Sequence, residues 1–237
     1  MKASLARRVV AEFIGTAFLV AAVVGSGIMG ERLAGGNVAV ALLANTIATG
    51  AALVALIFAF GGISGAHLNP VVTIMDALEG GLRWRETPHY IAAQVFGGIS
   101  GAVVAHMMFG LRPFSLSRHV RSGPSQVFSE FVATFGLMSV IWGCSRLRSS
   151  AVPFAVGAYI TAAYWFTAST SFANPAVTIA RCLSDTFAGI RPTDVAWFTV
   201  AQFLGGFAAT LLFRWLVPNL AARAEEVLFA HGSGPNG

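Results

Sequence analysis

Six apolar runs divide the chain, at about 9–29, 37–60, 90–109, 127–144, 151–167 and 195–217. Each is close to the roughly 20 residues that a helix needs to cross a bilayer. Two shorter runs, 71–78 and 176–183, cannot cross. Each of these begins at an Asn-Pro pair, Asn69-Pro70 and Asn174-Pro175. Asn is a good N-cap, because its side-chain oxygen accepts a bond from a free N–H of the first turn. Pro suits the next position, where its missing N–H costs nothing and its fixed φ is already helical. The pattern predicts six spanning helices and two half-helices that enter from opposite sides and meet. Polar stretches at 79–87, 112–125, 145–150 and 191–194 separate the elements, and 218–237 reads as a flexible tail. The first run shares its basic start with a secretory signal, but its full-span length and its acid, Glu12, favour a retained helix.

The order of features occurs twice. Ala11-Glu12-Phe13-Ile14-Gly15-Thr16 matches Ser129-Glu130-Phe131-Val132-Ala133-Thr134. Ala93-Gln94-Val95-Phe96-Gly97-Gly98 matches Ala201-Gln202-Phe203-Leu204-Gly205-Gly206. The Asn-Pro pairs lie 105 residues apart. Two repeats of three spans, about 9–109 and 127–217, must run in opposite directions, since three crossings invert the chain. The whole of 1–237 is thus expected to form one membrane domain, all-α, with any permeation site at the midplane where the half-helices point.

Composition changes the picture in one respect. The chain is 56% hydrophobic and 11% charged, against about 25% charged in a soluble domain. That leaves a membrane protein, with the lipid bilayer as its solvent. The net charge of +5 is almost all arginine in the connections, which reads as membrane flanking and not as nucleic-acid binding. With the N-terminus inside, nine Lys and Arg fall on the inner side and six on the outer, which favours a cytoplasmic N-terminus in a plasma or inner membrane. The Asn69 loop then dips from the cytoplasm and the Asn174 loop from outside. No metal spacing, nucleophile–base pair or phosphate-cradling loop is present, so no cofactor, metal or catalytic residue is expected. Cys144 and Cys182 read as small apolar fillers, with a disulfide left open.

Ser64-Gly65-Ala66-His67-Leu68-Asn69-Pro70-Val71-Val72-Thr73, paired with Asn174-Pro175-Ala176 in an inverted six-span chain, resembles the aquaporin (major intrinsic protein) family. The likeness covers Glu12 to Val217. It implies a homotetramer with one pore per subunit, and a role for Asn69 and Asn174 as amide donors to solutes at the pore centre. The chain departs from the family's pattern. Val71 replaces the usual alanine of the first motif. Val177 stands where members usually have an arginine that narrows the outer constriction. Counting back from the Asn residues, the family's other filter positions fall on Thr49, Ala162 and Ser171, with Tyr159, Tyr164 or Phe166 able to intrude. Small residues there imply a wide filter without that arginine. Arg181, four residues past Val177, could lean back to replace the missing charge or snorkel to the surface. The pattern is also similar to the arsenic-associated bacterial aquaglyceroporins. The implied solutes are small and uncharged: glycerol, metalloid acids such as arsenite, methylated arsenicals, and water.

Acids inside spans are costly and usually functional. Glu12 and Glu130 suit either a proton relay or carboxylates that accept backbone N–H groups from the irregular loops, which need such partners at membrane depth. One acid per loop favours loop support, with Gln94 and Gln202 bracing the same loops. His67 reads as a vestibule wall residue or as a pH sensor. Trp84, Trp142, Trp197 and Trp215 are expected at an interfacial belt, and Trp165 near the outer mouth. The sequence therefore predicts a passive channel. The alternatives are a mainly water-selective pore or, from another class, a secondary transporter, which also uses inverted repeats with broken helices.

Overall fold

A computed structural model of the chain describes residues 3–147 and 149–217, without the side chains of 146 and 147. The proposed tail, 218–237, lies outside the described residues. Among the described residues, eight α-helices follow one another: α1 Leu5–Leu33, α2 Val38–Ser64, α3 Pro70–Leu78, α4 Thr87–Met108, α5 Pro124–Leu147, α6 Val152–Phe166, α7 Pro175–Arg181 and α8 Pro192–Leu216. Among the described residues, five are long and apolar enough to cross a membrane: α1, α2, α4, α5 and α8. Helix α6 has 15 residues, about 22 Å at 1.5 Å per residue. It is shorter than the run 151–167 suggested. A 3-10 turn at Ser149–Ala151 precedes it, and the chain leaves the helix at Thr167 with extended backbone.

The two short helices begin as expected. Asn69 and Asn174 adopt extended backbone and cap their helices from the side chain. Asn69 Oδ1 accepts from Val71 N at 2.9 Å, and Asn174 Oδ1 from Ala176 N at 3.0 Å. Thr73 and Thr178 hydroxyls bond back to the carbonyls of the same two Asn residues, at 3.0 and 2.8 Å.

Helix α1 packs against α4 and α2, and α5 packs against α8; α2 and α6 join the halves. Each half-helix packs on the last long helix of the opposite half, α7 on α4 and α3 on α8. The paired glycines permit both contacts. A Cβ on Gly97 would strike the carbonyl of Phe13, and one on Gly205 the carbonyl of Phe131, so these face the first helix of their own half. A Cβ on Gly98 would sit 3.2 Å from Ala176 O, and one on Gly206 would collide with Val71 Cγ1, so these face the opposite half-helix. Small residues let helices approach closely in lipid, where no hydrophobic force drives them together.

Two tryptophans depart from expectation. Trp142 is 1% exposed and donates from Nε1 to Thr210 Oγ1 at 3.0 Å, tying α5 to α8 instead of joining an interfacial belt. Trp165 points outward, 48% exposed, and does not line the mouth. Trp84, Trp197 and Trp215 are exposed. Cys144 and Cys182 are free thiols.

Candidate functional site

The loops before the half-helices carry the site. Both are strained. Ala66 and Leu68 in the first, and Thr170, Ser171 and Ala173 in the second, have φ between 46° and 61° without being glycine. Such residues persist only where their surroundings over-determine them. The surroundings here are two buried carboxylates. Glu12 accepts from His67 N at 2.9 Å, Leu68 N at 2.7 Å, Ser64 Oγ at 2.7 Å and Gln94 Nε2 at 2.8 Å. Glu130 accepts from Phe172 N at 2.8 Å, Ala173 N at 2.9 Å and Gln202 Nε2 at 2.6 Å. Gln94 and Gln202 also reach Thr73 and Thr178, at 2.8 and 2.9 Å. Neither acid lines the lumen described below.

The loops then cross-link. Asn69 Nδ2 donates to Ala173 O at 2.8 Å, and Asn174 Nδ2 donates to Leu68 O at 2.7 Å. An amide carries two N–H donors, so each Asn retains a second one. Both Asn residues line a narrow cavity of about 70 Å³ between the helices. Its wall is mostly aliphatic, from Leu19, Val23, Leu53, Ile57, Val72 and Ile141 among others. At the α3 end His67 joins the wall, its Nδ1 3.2 Å from Thr73 Oγ1 and its Nε2 3.5 Å from Asp76.

The α7 end gathers Thr49, Tyr164, Ser171, Phe172, Val177 and Arg181. Ala162, expected among them, is exposed on the other side of α6 and does not line the lumen. The lining residues of α6 are Val152, Val156, Ile160 and Tyr164, a four-residue spacing that keeps to one helix face. Position 162 lies half a turn away from that face. Counting back from Asn174 misses the register by two residues, because the irregular stretch after α6 is not one the count could measure. Tyr164 stands in the wall instead, its hydroxyl 3.2 Å from Thr49 Oγ1.

Val177 leaves that part of the wall apolar, yet an arginine is present. Arg181 is 2% exposed, so it does not snorkel to the surface. Its Nε donates to Ala188 O, and its Cζ lies 3.4 Å from the Phe172 ring centroid. Ser171 Oγ is buried without a hydrogen-bond partner. Sequence reasoning put Ala162 in the wall and held Tyr164 only as able to intrude, and it missed Asp76 and Arg121. Four-residue spacing from Val152 could have found Tyr164. Asp76 sits 105 residues before Arg181, the interval between the two Asn residues. Nothing in the sequence marks Arg121, which lies in an irregular connection.

Two helix N-termini facing one point make that point electropositive. Donors fixed there, in an aliphatic tube, suit uncharged molecules and disfavour cations. The fold and site thus define a membrane channel, not an enzyme. The chain belongs to the major intrinsic protein family, whose model matches residues 1–148 and 143–234. It is 55% identical to the aquaglyceroporin AqpS of Rhizobium meliloti (strain 1021), over 90% of this chain and 91% of that protein. It is 35% identical to aquaporin NIP1-3 of Oryza sativa subsp. japonica, over 73% of this chain and 62% of that one. The fold matches the solved aquaglyceroporin of Plasmodium falciparum with a TM-score of 0.73, at 19% identity, over 92% of this chain and all of that one. The chain is a multi-pass membrane channel for small neutral solutes.

Proposed function

We propose that the channel passes glycerol and small uncharged metalloid acids, such as arsenite or methylated arsenicals, as well as water. The filter comprises Thr49, Tyr164, Ser171, Val177 and Arg181. The observation that carries this reading is Val177, an aliphatic residue of the lumen wall at the position where the family resemblance implies an arginine. Arg181, one turn on, also lines the lumen, held against its wall by Ala188 O and the Phe172 ring. The name of the 55% identical relative supports glycerol as a solute. The unit is 1–237, two inverted halves, assembled as a homotetramer in a plasma or inner membrane. Its N-terminus is cytoplasmic, so the Arg181 mouth faces outward.

A mainly water-selective pore is the second reading. Tyr164 and Arg181 favour it, because both put polar bulk at one level of a narrow lumen. Stopped-flow light scattering on proteoliposomes separates the two. The proposal expects fast glycerol and metalloid-acid flux, and Val177→Arg is expected to reduce both by about tenfold or more while water still crosses. Fast water with no glycerol or metalloid flux in the unaltered channel would overturn the proposal in favour of the second reading.

A further inference from the structure

The connection between the halves, 109–123, has no counterpart in either repeat. It lies along the Arg181 mouth. Ser115 N and Ser117 N donate to Leu183 O and Cys182 O, at 3.1 and 2.9 Å, and Arg191 N donates to His119 O at 2.8 Å. From it, Arg121 turns inward and is 8% exposed. Its Nε donates to Gly189 O at 2.8 Å, and its Nη1 donates to Ser169 O at 3.0 Å and to Thr170 Oγ1 at 3.4 Å. Its own backbone N–H is fixed by Asp194 at 2.9 Å. Its Cζ lies 4.9 Å from the Phe172 ring centroid, so two guanidinium groups share that ring.

We propose that Arg121 is a positioning residue for the filter. It clamps the strained 169–171 segment, and thereby sets how Ser171 and the Phe172–Arg181 pair face the lumen and which solutes pass.

Two of the second loop's anchors flank Ser171. Glu130 holds the N–H groups of Phe172 and Ala173, and Arg121 holds the Ser169 carbonyl and the Thr170 hydroxyl. Ser171 sits between these anchors with φ +50° and a buried, unpartnered hydroxyl. The first loop shows the same device built differently. Ser64 is the counterpart of Ser169, 105 residues earlier. Its carbonyl is also clamped, by the Tyr90 hydroxyl at 3.0 Å. One half thus uses a neutral phenol from its own third span. The other uses a cation brought by the connector, and only this mouth carries the filter. A buried guanidinium with three acceptors is rigid, whereas a lysine ammonium cannot span Gly189 O and Ser169 O with the same fork.

The proposal rests on the filter reading above, so both are tested in one series. Water and glycerol permeabilities are measured in the same proteoliposomes for the full chain and for Arg121→Ala, Arg121→Lys, Arg118→Ala and Val177→Arg. The glycerol-to-water ratio does not depend on how much protein has folded. Arg121→Ala is expected to shift the ratio by about tenfold, since small misplacements of a binding group carry effects of this size. Arg121→Lys should fall between Arg121→Ala and the unaltered chain. Arg118→Ala, which removes an exposed pair with Asp185, should leave the ratio unchanged. If Arg121→Ala gives no channel, Arg121→Lys decides alone. An unchanged ratio in the Arg121 variants, with Val177→Arg still shifting it, overturns the positioning role and spares the filter. An unchanged ratio in all of them overturns the filter reading itself.

Discussion

At the scale of single residues, the two buried glutamates explain why the loops can be irregular at membrane depth. A carboxylate accepts and never donates when ionised, and every group aimed at Glu12 and Glu130 is a donor. Replacing Glu130 by Gln turns one acceptor into a donor facing donors. Glu130→Gln should therefore lower stability by about 1–3 kcal/mol, the cost of buried groups left unpaired. A thermal melt in detergent checks this, and an unchanged midpoint would mean that the loop is held by something else. The roles of these acids were legible from composition and count, one acid per loop. The lumen wall was legible only in part. Thr49, Ser171 and Val177 lie near fixed landmarks, whereas position 162 was reached by counting through a stretch with no regular period. The register is testable. Tyr164→Ala should raise glycerol flux several-fold relative to water, and Ala162→Leu, which faces outward, should change neither. The reverse pattern in proteoliposome flux would restore Ala162 to the wall.

At the scale of elements, the Asn-Pro pairs specified both half-helices because capping and φ preference act locally. The bounds of α6 were legible to within a residue at each end, because the apolar run stops at the polar stretch Thr167-Ala168-Ser169-Thr170-Ser171. The Gly-Gly pairs were read as close crossings. Their division of labour, one glycine for each neighbouring helix, needed the three-dimensional arrangement. It has a consequence for Val71, which is fully buried against Gly206. Gly206→Ala should cost about 1–3 kcal/mol by overpacking. Combining it with Val71→Ala should recover most of that loss, because the two groups compete for one space. Additive losses in the double variant, read by the same melts, would show that Val71 is not what Gly206 accommodates.

At the scale of the molecule, the inverted repeat places matched parts at matched depths and then breaks the match at the mouths. Seven residues past each Asn, one half-helix carries Asp76 and the other Arg181. Each contacts the residue two before its own Asn: Asp76 reaches His67 at 3.5 Å, and Arg181 covers Phe172. The symmetric middle, where Asn69 and Asn174 cross-link the loops, is common to both directions of entry. The acids that could have served a coupled transporter are saturated by loop donors and stand outside the lumen. The architecture thus suits neutral molecules, with a positive centre that disfavours cations.

The most direct test loads proteoliposomes with a pH-sensitive dye, imposes a glycerol gradient and follows glycerol movement and internal pH together. The account predicts rapid glycerol equilibration in either direction with no accompanying proton flux, and no glycerol accumulation when a pH gradient alone is imposed. Proton movement in fixed proportion to glycerol, or uphill glycerol driven by the pH gradient, would contradict it and make this inverted repeat a transporter.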